Sequence, residues 1–277
     1  FKWIKHYVKE KDIDANCNKE LIDYENFKND VYQLTNINLS LYKERQMKRR
    51  IESLMKRKGF DTFDTYFAAM KKDQILLKAF VSYLTINVSE FYRNPKQWEL
   101  FEKQMIPYME NKFGNQMHIW SAACSTGDEP YTIAMILARH FPLKQIHIYA
   151  TDIDEDVLNF AKEGVYSERS LERLPEDMLR KHFTKLDHGY QINDDIKACV
   201  EFRKHNLLED KYPSGMHMIV CRNVVIYFTD EAKDKVYEKF HDTLVKDGIL
   251  FIGSTEQIIH AKEIGFESVD SFFYKKA

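Results

Sequence analysis

The sequence predicts an α/β protein with a mostly parallel sheet, preceded by a separate all-α domain. Residues 21–85 repeat apolar side chains at helical spacing, whereas from about residue 95 short apolar runs alternate with amphipathic segments. At the first alternation, the apolar run 117–120 leads into a turn of small residues with one glycine and two acids. Such a turn is typical of the first strand and helix of a nucleotide-type, Rossmann-like fold.

The helical part spans residues 21–85 and reads as a small bundle. Tyr24, Phe27, Val31 and Leu34 recur at steps of three and four residues, as the core-facing stripe of a helix does. Gly59 follows a basic triplet, which is typical of a helix C-terminus. Residues 1–20 are polar and weakly patterned, and we predict that they form an arm of unknown role.

The α/β part begins with a helix that Pro95 opens. Strands and helices then alternate, which predicts a parallel sheet covered on both faces. The predicted elements are strand Met117–Ala122, helix Glu129–His140, strand Gln145–Ala150, helix Glu155–Lys162, strand Met216–Cys221, helix Asp230–Leu244, strand Ile249–Gly253 and two closing segments, Phe266–Val269 and Ser271–Tyr274.

Residues 165–205 interrupt this alternation. Pro175 starts a short helix, and two strand-like segments follow at Tyr190–Ile192 and Cys199–Arg203, separated by the turn residues 193–195. This pattern predicts a small antiparallel β insertion.

Composition narrows the class of protein. The net charge is −2, so the overall charge indicates neither nucleic acid nor a membrane surface as a partner. No apolar run approaches the roughly 20 residues of a membrane span. The cysteines Cys17, Cys124, Cys199 and Cys221 lie far apart, which favours free thiols in a reducing cytoplasm. The histidines lack metal-ligand spacing, so we expect no metal site.

Asp128 and Glu129 follow the glycine of the first turn and start a predicted helix. A helix N-terminus attracts anions, but two acids there would repel a pyrophosphate. The pair suits a ligand that carries hydroxyls and a positive charge. S-adenosylmethionine has a ribose diol, an ammonium and a sulfonium, and no phosphate.

Polar residues also follow two other predicted strands. Asp152 follows the second strand and is placed to bind a ribose diol, although it or Asp154 could instead cap the next helix. The acidic turn upstream favours ribose binding. Arg222, Asn223 and Tyr227 follow the strand that ends at Cys221, and ligands of open α/β sheets bind at such carboxyl ends. The alternative is an ordinary loop with Tyr227 in the core.

Three further segments are less specific. Asn87–Arg93 joins the two predicted domains, where ligands often bind, but on its own it is better explained as a linker with a cap at Ser89. Asn206-Leu207 is uninformative by itself. The run 42–58 holds eight Lys/Arg and two Glu. Such a run is usually a solvated helix face, but in a near-neutral chain it suggests a docking surface for an acidic partner.

Four ordered motifs together resemble the chemoreceptor glutamate methyltransferases, the CheR family, over residues 21–277. They are NVSEFYR (87–93), ACSTGDEPYT (123–132), ATDID (150–154) and CRNVVIYF (221–228). The resemblance implies a class I, Rossmann-like methyltransferase sheet with a small β insertion at about 165–205. It also implies a receptor-docking all-α domain at 21–85 and a catalytic domain at 86–277.

The resemblance implies S-adenosylmethionine as cofactor and S-adenosylhomocysteine as product. It places the cofactor against Asn87, Ser89, Arg93, Glu129, Asp152, Asn206, Leu207, Arg222 and Asn223. Ser89, Tyr92 and Asp128 stand where the family often has Thr, Phe and Glu, so the hydroxyl, the aromatic ring and the acid are kept.

The family methylates glutamates on the cytoplasmic helices of chemotaxis receptors, and a glutamate carboxylate is already ionised near neutral pH, so no general base is needed. Arg93 and Tyr227 are the candidates for orienting that carboxylate. We expect the basic helix 42–58, with Arg45, Lys48, Arg49 and Arg50, to meet acidic receptor helices, and we expect a monomer that binds neither nucleic acid nor membrane.

Three other functions compete with this one. A dinucleotide oxidoreductase would need a glycine-rich turn, which this chain lacks. A nucleic-acid methyltransferase would use the basic helix, but few aromatic residues accompany its charges. A non-catalytic scaffold that binds S-adenosylmethionine would not need polar residues in all four motifs.

Overall fold

A computed structural model describes residues 23–277, so the arm predicted at 1–20 lies outside the described residues. The chain divides into two compact units, with the boundary between Leu84 and Thr85. Within the described range, no helix is both long enough and apolar enough to cross a membrane.

The first unit is helical, as predicted. Aromatic rings fill its core because they recur on one face of successive helices; Phe27 contacts both Phe63 and Phe80, and Tyr66 contacts Phe80. Its helices are α1 (23–35), α2 (Glu44–Arg57), α3 (Phe63–Met70) and α4 (Gln74–Leu84), with a 3₁₀ turn at Leu39–Leu41.

The second unit opens with a helix that is interrupted by one wide turn. Helix α5 (Pro95–Leu100) passes into a π-helical turn (Phe101–Met105) and then into α6 (Ile106–Phe113). Pro107 has no N–H to donate to the preceding turn, which accounts for the local change in hydrogen bonding.

A seven-stranded mixed sheet forms the centre of the second unit, in the order β6-β2-β1-β7-β8-β10-β9. The first five strands in that order run parallel, and β10 is antiparallel to both of its neighbours. The strands are β1 (His118–Ala122), β2 (His147–Asp152), β6 (Val200–Lys204), β7 (Met216–Cys221), β8 (Leu244–Ile252), β9 (Phe266–Asp270) and β10 (Phe273–Lys276).

Helices connect these strands in the alternation that the sequence predicted. They are α7 (Asp128–Leu137), α8 (Glu155–Glu163), α9 (Glu176–His182), α10 (Asp194–Lys197), α11 (Asp230–Thr243) and α12 (Ala261–Ile264). Most of α7 is buried, because it lies directly behind the first turn and its residues from Pro130 to Leu137 are almost all apolar.

The small antiparallel sheet exists, but the prediction of its strands was partly wrong. Its strands are β3 (Val165–Tyr166), β4 (Phe183–Leu186) and β5 (Gly189–Ile192), in the order β3-β5-β4. Most of the segment 199–203, predicted as part of this insertion, belongs instead to β6 (Val200–Lys204), which pairs in parallel with β2. Strand pairing is a long-range property, and a short apolar run does not identify its partner.

Candidate functional site

The parallel strands end at one edge of the sheet, and this edge collects the polar residues that the sequence singled out. Because β1, β2, β6, β7 and β8 run in the same direction, their carboxyl ends lie side by side. Asp152 is the last residue of β2, and Ser125, Asn206 and Asn223 follow the ends of β1, β6 and β7.

Left-handed backbone is concentrated around this edge. Of the eight non-glycine residues with positive φ in the described chain, six lie in the segments 86–94, 123–125 and 223. Strained backbone of this kind persists where surrounding contacts hold it, and it clusters at functional sites. The six residues are Ile86, Tyr92, Asn94, Ala123, Ser125 and Asn223.

The first turn is tied to the end of β2. The Cys124 N–H donates to the Thr151 carbonyl at 2.8 Å, and the Ser125 N–H donates to Asp152 Oδ2 at 2.8 Å. Gly127 has φ +88°, and a Cβ there would lie 2.8 Å from the Cβ of Ala161. The turn therefore needs its glycine for both conformation and space.

The sequence left open whether Asp152 binds a ribose diol or whether it or Asp154 caps the next helix, and the structure shows that Asp154 is the cap. Asp154 caps α8 through its Oδ1, which accepts from the Asp156 N–H at 2.9 Å. Asp152 makes no such cap; its Oδ1 accepts from the Asp154 N–H at 3.0 Å. Only 5% of Asp152 is exposed, and burial raises its pKa to about 6.

The acidic pair at the start of α7 is held by short-range hydroxyl contacts. Asp128 accepts from the Thr126 hydroxyl and also from Ser89, while Glu129 Oε1 accepts from Ser121 Oγ at 2.9 Å. Burial raises the pKa of both carboxyls, and Arg222 opposes the rise at Glu129. The Arg222 Nη1 lies 3.6 Å from Glu129 Oε2.

Arg222 is enclosed in protein. Its Nη2 donates to the Arg93 carbonyl at 2.9 Å and to Gln97 Oε1, and its guanidinium lies 4.8 Å from each of the ring centres of Trp98 and Phe251. With 7% of the residue exposed, Arg222 links the loop after β7 to α5 and to the segment before it. Its predicted contact with the cofactor stays a prediction.

The segment 86–94, which its sequence alone suggested to be a linker, makes hydrogen bonds to residues at the sheet edge. The Asn87 amide donates to Asp154 Oδ2 at 2.8 Å, and the Tyr92 N–H donates to Thr132 Oγ1 at 3.2 Å. Arg93 is half-buried, and its Nη1 donates to the Val88 carbonyl at 3.3 Å. These contacts place the segment against α7 and the end of β2.

Asn206 and Leu207 follow β6 and lie next to Asp152. The His205 N–H donates to the Asp152 carbonyl at 2.9 Å, which brings the next two residues to the edge. The Asn206 Oδ1 accepts from the Leu208 N–H at 3.0 Å, and buried Leu207 uses its carbonyl to accept from the Tyr212 hydroxyl at 2.7 Å.

Sequence reasoning missed Glu256, which holds the loop after β7. The Glu256 carboxylate accepts the N–H groups of Asn223, Val224, Val225 and Gly253. The only local signal is an acid shortly after a predicted strand.

Tyr227 ends the 3₁₀ turn Val225–Tyr227 that starts in this loop, and it is half-buried.

Ser125 Oγ and Asn223 Oδ1 are among the buried polar atoms at this edge that have no hydrogen-bond partner within residues 23–277. Others there include Gln97 Nε2, His205 Nε2 and Arg222 Nε. Buried polar groups are nearly always satisfied, so such orphans call for a polar ligand. The Asp152 carboxylate, Asn223 Oδ1 and the Ser125 hydroxyl offer acceptors that suit a ribose diol and a cationic group.

The basic helix α2, in the first unit, has one buried and one exposed face. Met47, Ile51, Leu54 and Met55 are its buried residues, whereas Arg45 and Arg49 are exposed. Arg50 is partly buried; its Nη2 donates to the Tyr83 carbonyl at 2.6 Å, and its guanidinium lies 4.6 Å from the Tyr83 ring centre. Arg50 therefore stabilises the helical unit itself.

Comparison with known proteins finds matching family models and relatives. The family described as "CheR methyltransferase, SAM binding domain" matches residues 87–273, and "CheR methyltransferase, all-alpha domain" matches residues 22–85. A chemotaxis protein methyltransferase of Listeria innocua is 42% identical, with 92% of this chain and 97% of the relative covered. Those of Borreliella burgdorferi and Salmonella typhimurium are 35% identical (89% and 91% covered) and 30% identical (82% and 80% covered).

Proposed function

This chain belongs to the CheR methyltransferase family, and on that premise we propose how the edge of its sheet methylates glutamate side chains of chemoreceptors. It is a methyltransferase that uses S-adenosylmethionine, as the matched domain and the chemotaxis methyltransferases of similar sequence indicate. Glutamate methyl esters are the expected products. A role in nucleic-acid methylation is not favoured.

The observation that carries the proposed site is the convergence of Asp152, Ser125 and Asn223 at the carboxyl edge, the last two with buried orphan oxygens. When bound, S-adenosylmethionine supplies an electrophilic methyl group on a sulfonium. We assign Asp152 to its ribose and Glu129 to its cationic end or its ribose. Asn87, Ser89, Asn206, Leu207 and Arg222 complete the proposed cofactor site, chiefly by shaping it.

The chemical step needs orientation more than acid or base catalysis. The receptor glutamate is ionised at neutral pH, so its oxygen could take up the methyl group, with the bond from that carbon to sulfur breaking, and no residue would need to remove a proton. Arg93 and Tyr227 are assigned to hold that carboxylate in line with the methyl group. Placement of this kind contributes several kcal/mol. Arg93 suits the task because its backbone is fixed by Arg222 and its side chain is half-buried.

Titration with S-adenosylhomocysteine tests the cofactor site. The wild-type protein should bind it, and Asp152→Asn should weaken binding by about 10- to 100-fold because a hydrogen bond to a charged group is lost. Asp156→Asn is the matched control, since Asp156 is exposed on the adjacent helix and should leave the affinity unchanged. Absence of binding by folded wild-type protein would contradict the proposed function, and equal binding by Asp152→Asn would contradict the ribose assignment.

We also propose that the exposed basic face of α2 docks on acidic receptor helices. Arg45, Lys48, Arg49 and Arg50 are the predicted contacts, but the inward bond of Arg50 makes it a poor probe. Reversing Arg45 and Arg49 to Glu should raise the apparent KM for receptor several-fold and weaken its salt dependence, with S-adenosylhomocysteine affinity unchanged. The matched control reverses exposed Lys71 and Lys72 in the same unit. An unchanged KM in the Arg45/Arg49 variant would exclude this face.

We further propose that the protein acts as a monomer in the cytoplasm. The thiols of Cys124, Cys199 and Cys221 are buried and free, which suits a reducing compartment.

A further inference from the structure

Glu256 is a buried carboxylate whose two oxygens are both occupied by backbone N–H groups. Its Oε2 accepts from Asn223 at 2.9 Å and from Gly253 at 2.7 Å, and its Oε1 accepts from Val224 at 2.9 Å and Val225 at 3.1 Å. Only 7% of the residue is exposed. The side chain therefore joins the loop after β7 to the turn after β8.

This arrangement depends on the carboxylate form. Burial raises the pKa of Glu256, and the backbone N–H groups oppose that rise because they stabilise the ionised group. Each oxygen receives two donors, so replacing either oxygen with an NH₂ group sets donor against donor. Gly253 leaves room for the contact, since a Cβ at that position would lie 2.8 Å from Glu256 Oε2.

Glu256 binds the backbone of one proposed site residue, Asn223, and of Val225, which lies two residues before another, Tyr227. Asn223 has φ +62°, the left-handed region that Asn adopts more readily than most non-glycine residues, and its buried Oδ1 has no partner in the described chain. Val225, whose N–H binds Glu256, begins the 3₁₀ turn that ends at Tyr227. The Glu256 carboxylate therefore fixes the backbone of Asn223, whose side chain we assign to the cofactor, and the start of the turn that positions Tyr227.

We propose that Glu256 is a positioning residue for methyl transfer, which couples Asn223 on the cofactor side to Tyr227 on the substrate side. This inference rests on the proposed function. Glu256 itself is enclosed by backbone and acts through the loop it holds, so its loss should reproduce the loss of the residues it positions.

A double-mutant cycle on kcat tests the coupling. Glu256→Gln should lower kcat by roughly 10- to 100-fold, because small displacements of orienting groups have effects of that size. Adding Tyr227→Phe to Glu256→Gln should change kcat by less than about threefold, since the tyrosine is already displaced. A purely structural role predicts that the two effects multiply, and that result would overturn the proposal.

Two further variants separate positioning from loss of fold. Ile249→Val shortens a buried β8 side chain away from the loop, so it should lower Tm with kcat per folded molecule unchanged. Glu256→Asp keeps the charge and should recover part of kcat, and it replaces Glu256→Gln in the cycle should the Gln variant not fold. Effects that multiply in the cycle with Glu256→Asp would equally overturn the proposal.

A second cycle distinguishes failure of this inference from failure of the proposed function. Absence of radiolabelled methyl transfer to receptor by the wild type would reject the proposed substrate. The positioning role is then judged by S-adenosylhomocysteine affinity alone: Glu256→Gln and Asn223→Ala should each weaken binding, and their combination should be no weaker than the worse single variant. Additive losses in binding free energy would overturn the positioning role.

Discussion

The two halves of the sheet edge are built in different ways. Around β1 and β2, the contacts join residues of neighbouring motifs, such as the Ser125 N–H and Asp152. Around β7 and β8, the loop after β7 is held by residues from other segments. Arg222 in this loop donates to Gln97 in α5, and the N–H of Asn223 in this loop donates to Glu256, which follows β8. Both halves contain motif residues, but the second half also depends on Gln97 and Glu256, which lie outside the motifs.

The largest effect is expected at Arg222, in the half around β7 and β8. Arg222→Met should lower the free energy of unfolding by about 3–5 kcal/mol, because it leaves the Glu129 carboxylate, whose side chain is only 14% exposed, without its cation. Urea unfolding measures this loss. Arg222→Met combined with Glu129→Gln should recover part of it, and exposed Arg203→Met is the control. A loss below about 1 kcal/mol would mean that Arg222 does not hold this half together.

A smaller effect is expected at Asp152, in the half built from motifs. Because its pKa is raised to about 6, S-adenosylhomocysteine affinity should fall by up to about tenfold per pH unit below that value, as the carboxylate gains a proton. The stability contribution has the opposite sign. A raised folded-state pKa means that the buried charge is destabilising above about 6, and this effect is relieved as pH falls.

Calorimetric titration between pH 5 and 8 separates these two effects when thermal unfolding is followed in parallel. The affinity of Asp152→Asn should be nearly independent of pH in this range. An affinity of the wild type that stays constant through pH 6 would show that the charge of Asp152 does not contribute to binding.

The smallest expected effect is at Tyr227. Tyr227→Phe removes one hydroxyl and should lower kcat by about tenfold, the size of one lost hydrogen bond to a charged group, with S-adenosylhomocysteine affinity unchanged. Steady-state kinetics with receptor and calorimetry with the product provide the two measurements. Wild-type turnover would remove Tyr227 from the mechanism and leave orientation to Arg93.

The elements and site residues that could be predicted from the sequence follow the same division between the two halves of the sheet edge. The all-α part, the parallel core and the strand Met216–Cys221 were predicted from periodicity and are confirmed. Asp152 and the acidic turn could be singled out because acids after buried strands are locally visible. Glu256 could not, because one acid after β8 forms no motif and its four donors come mostly from another loop. The prediction that β6 belongs to the small antiparallel sheet was wrong for the same reason, since its actual partner, β2, is distant in sequence.

The insertion between α8 and β6 begins and ends close together. The Ile192 N–H donates to the Gly164 carbonyl at 2.9 Å, so the chain returns near the place where it left the sheet layer. Its base is still tied to the first turn, because the Tyr166 hydroxyl donates to the Thr126 carbonyl at 2.7 Å. The length and surface of the hairpin beyond that base can therefore change without shifting the register of β6 on β2.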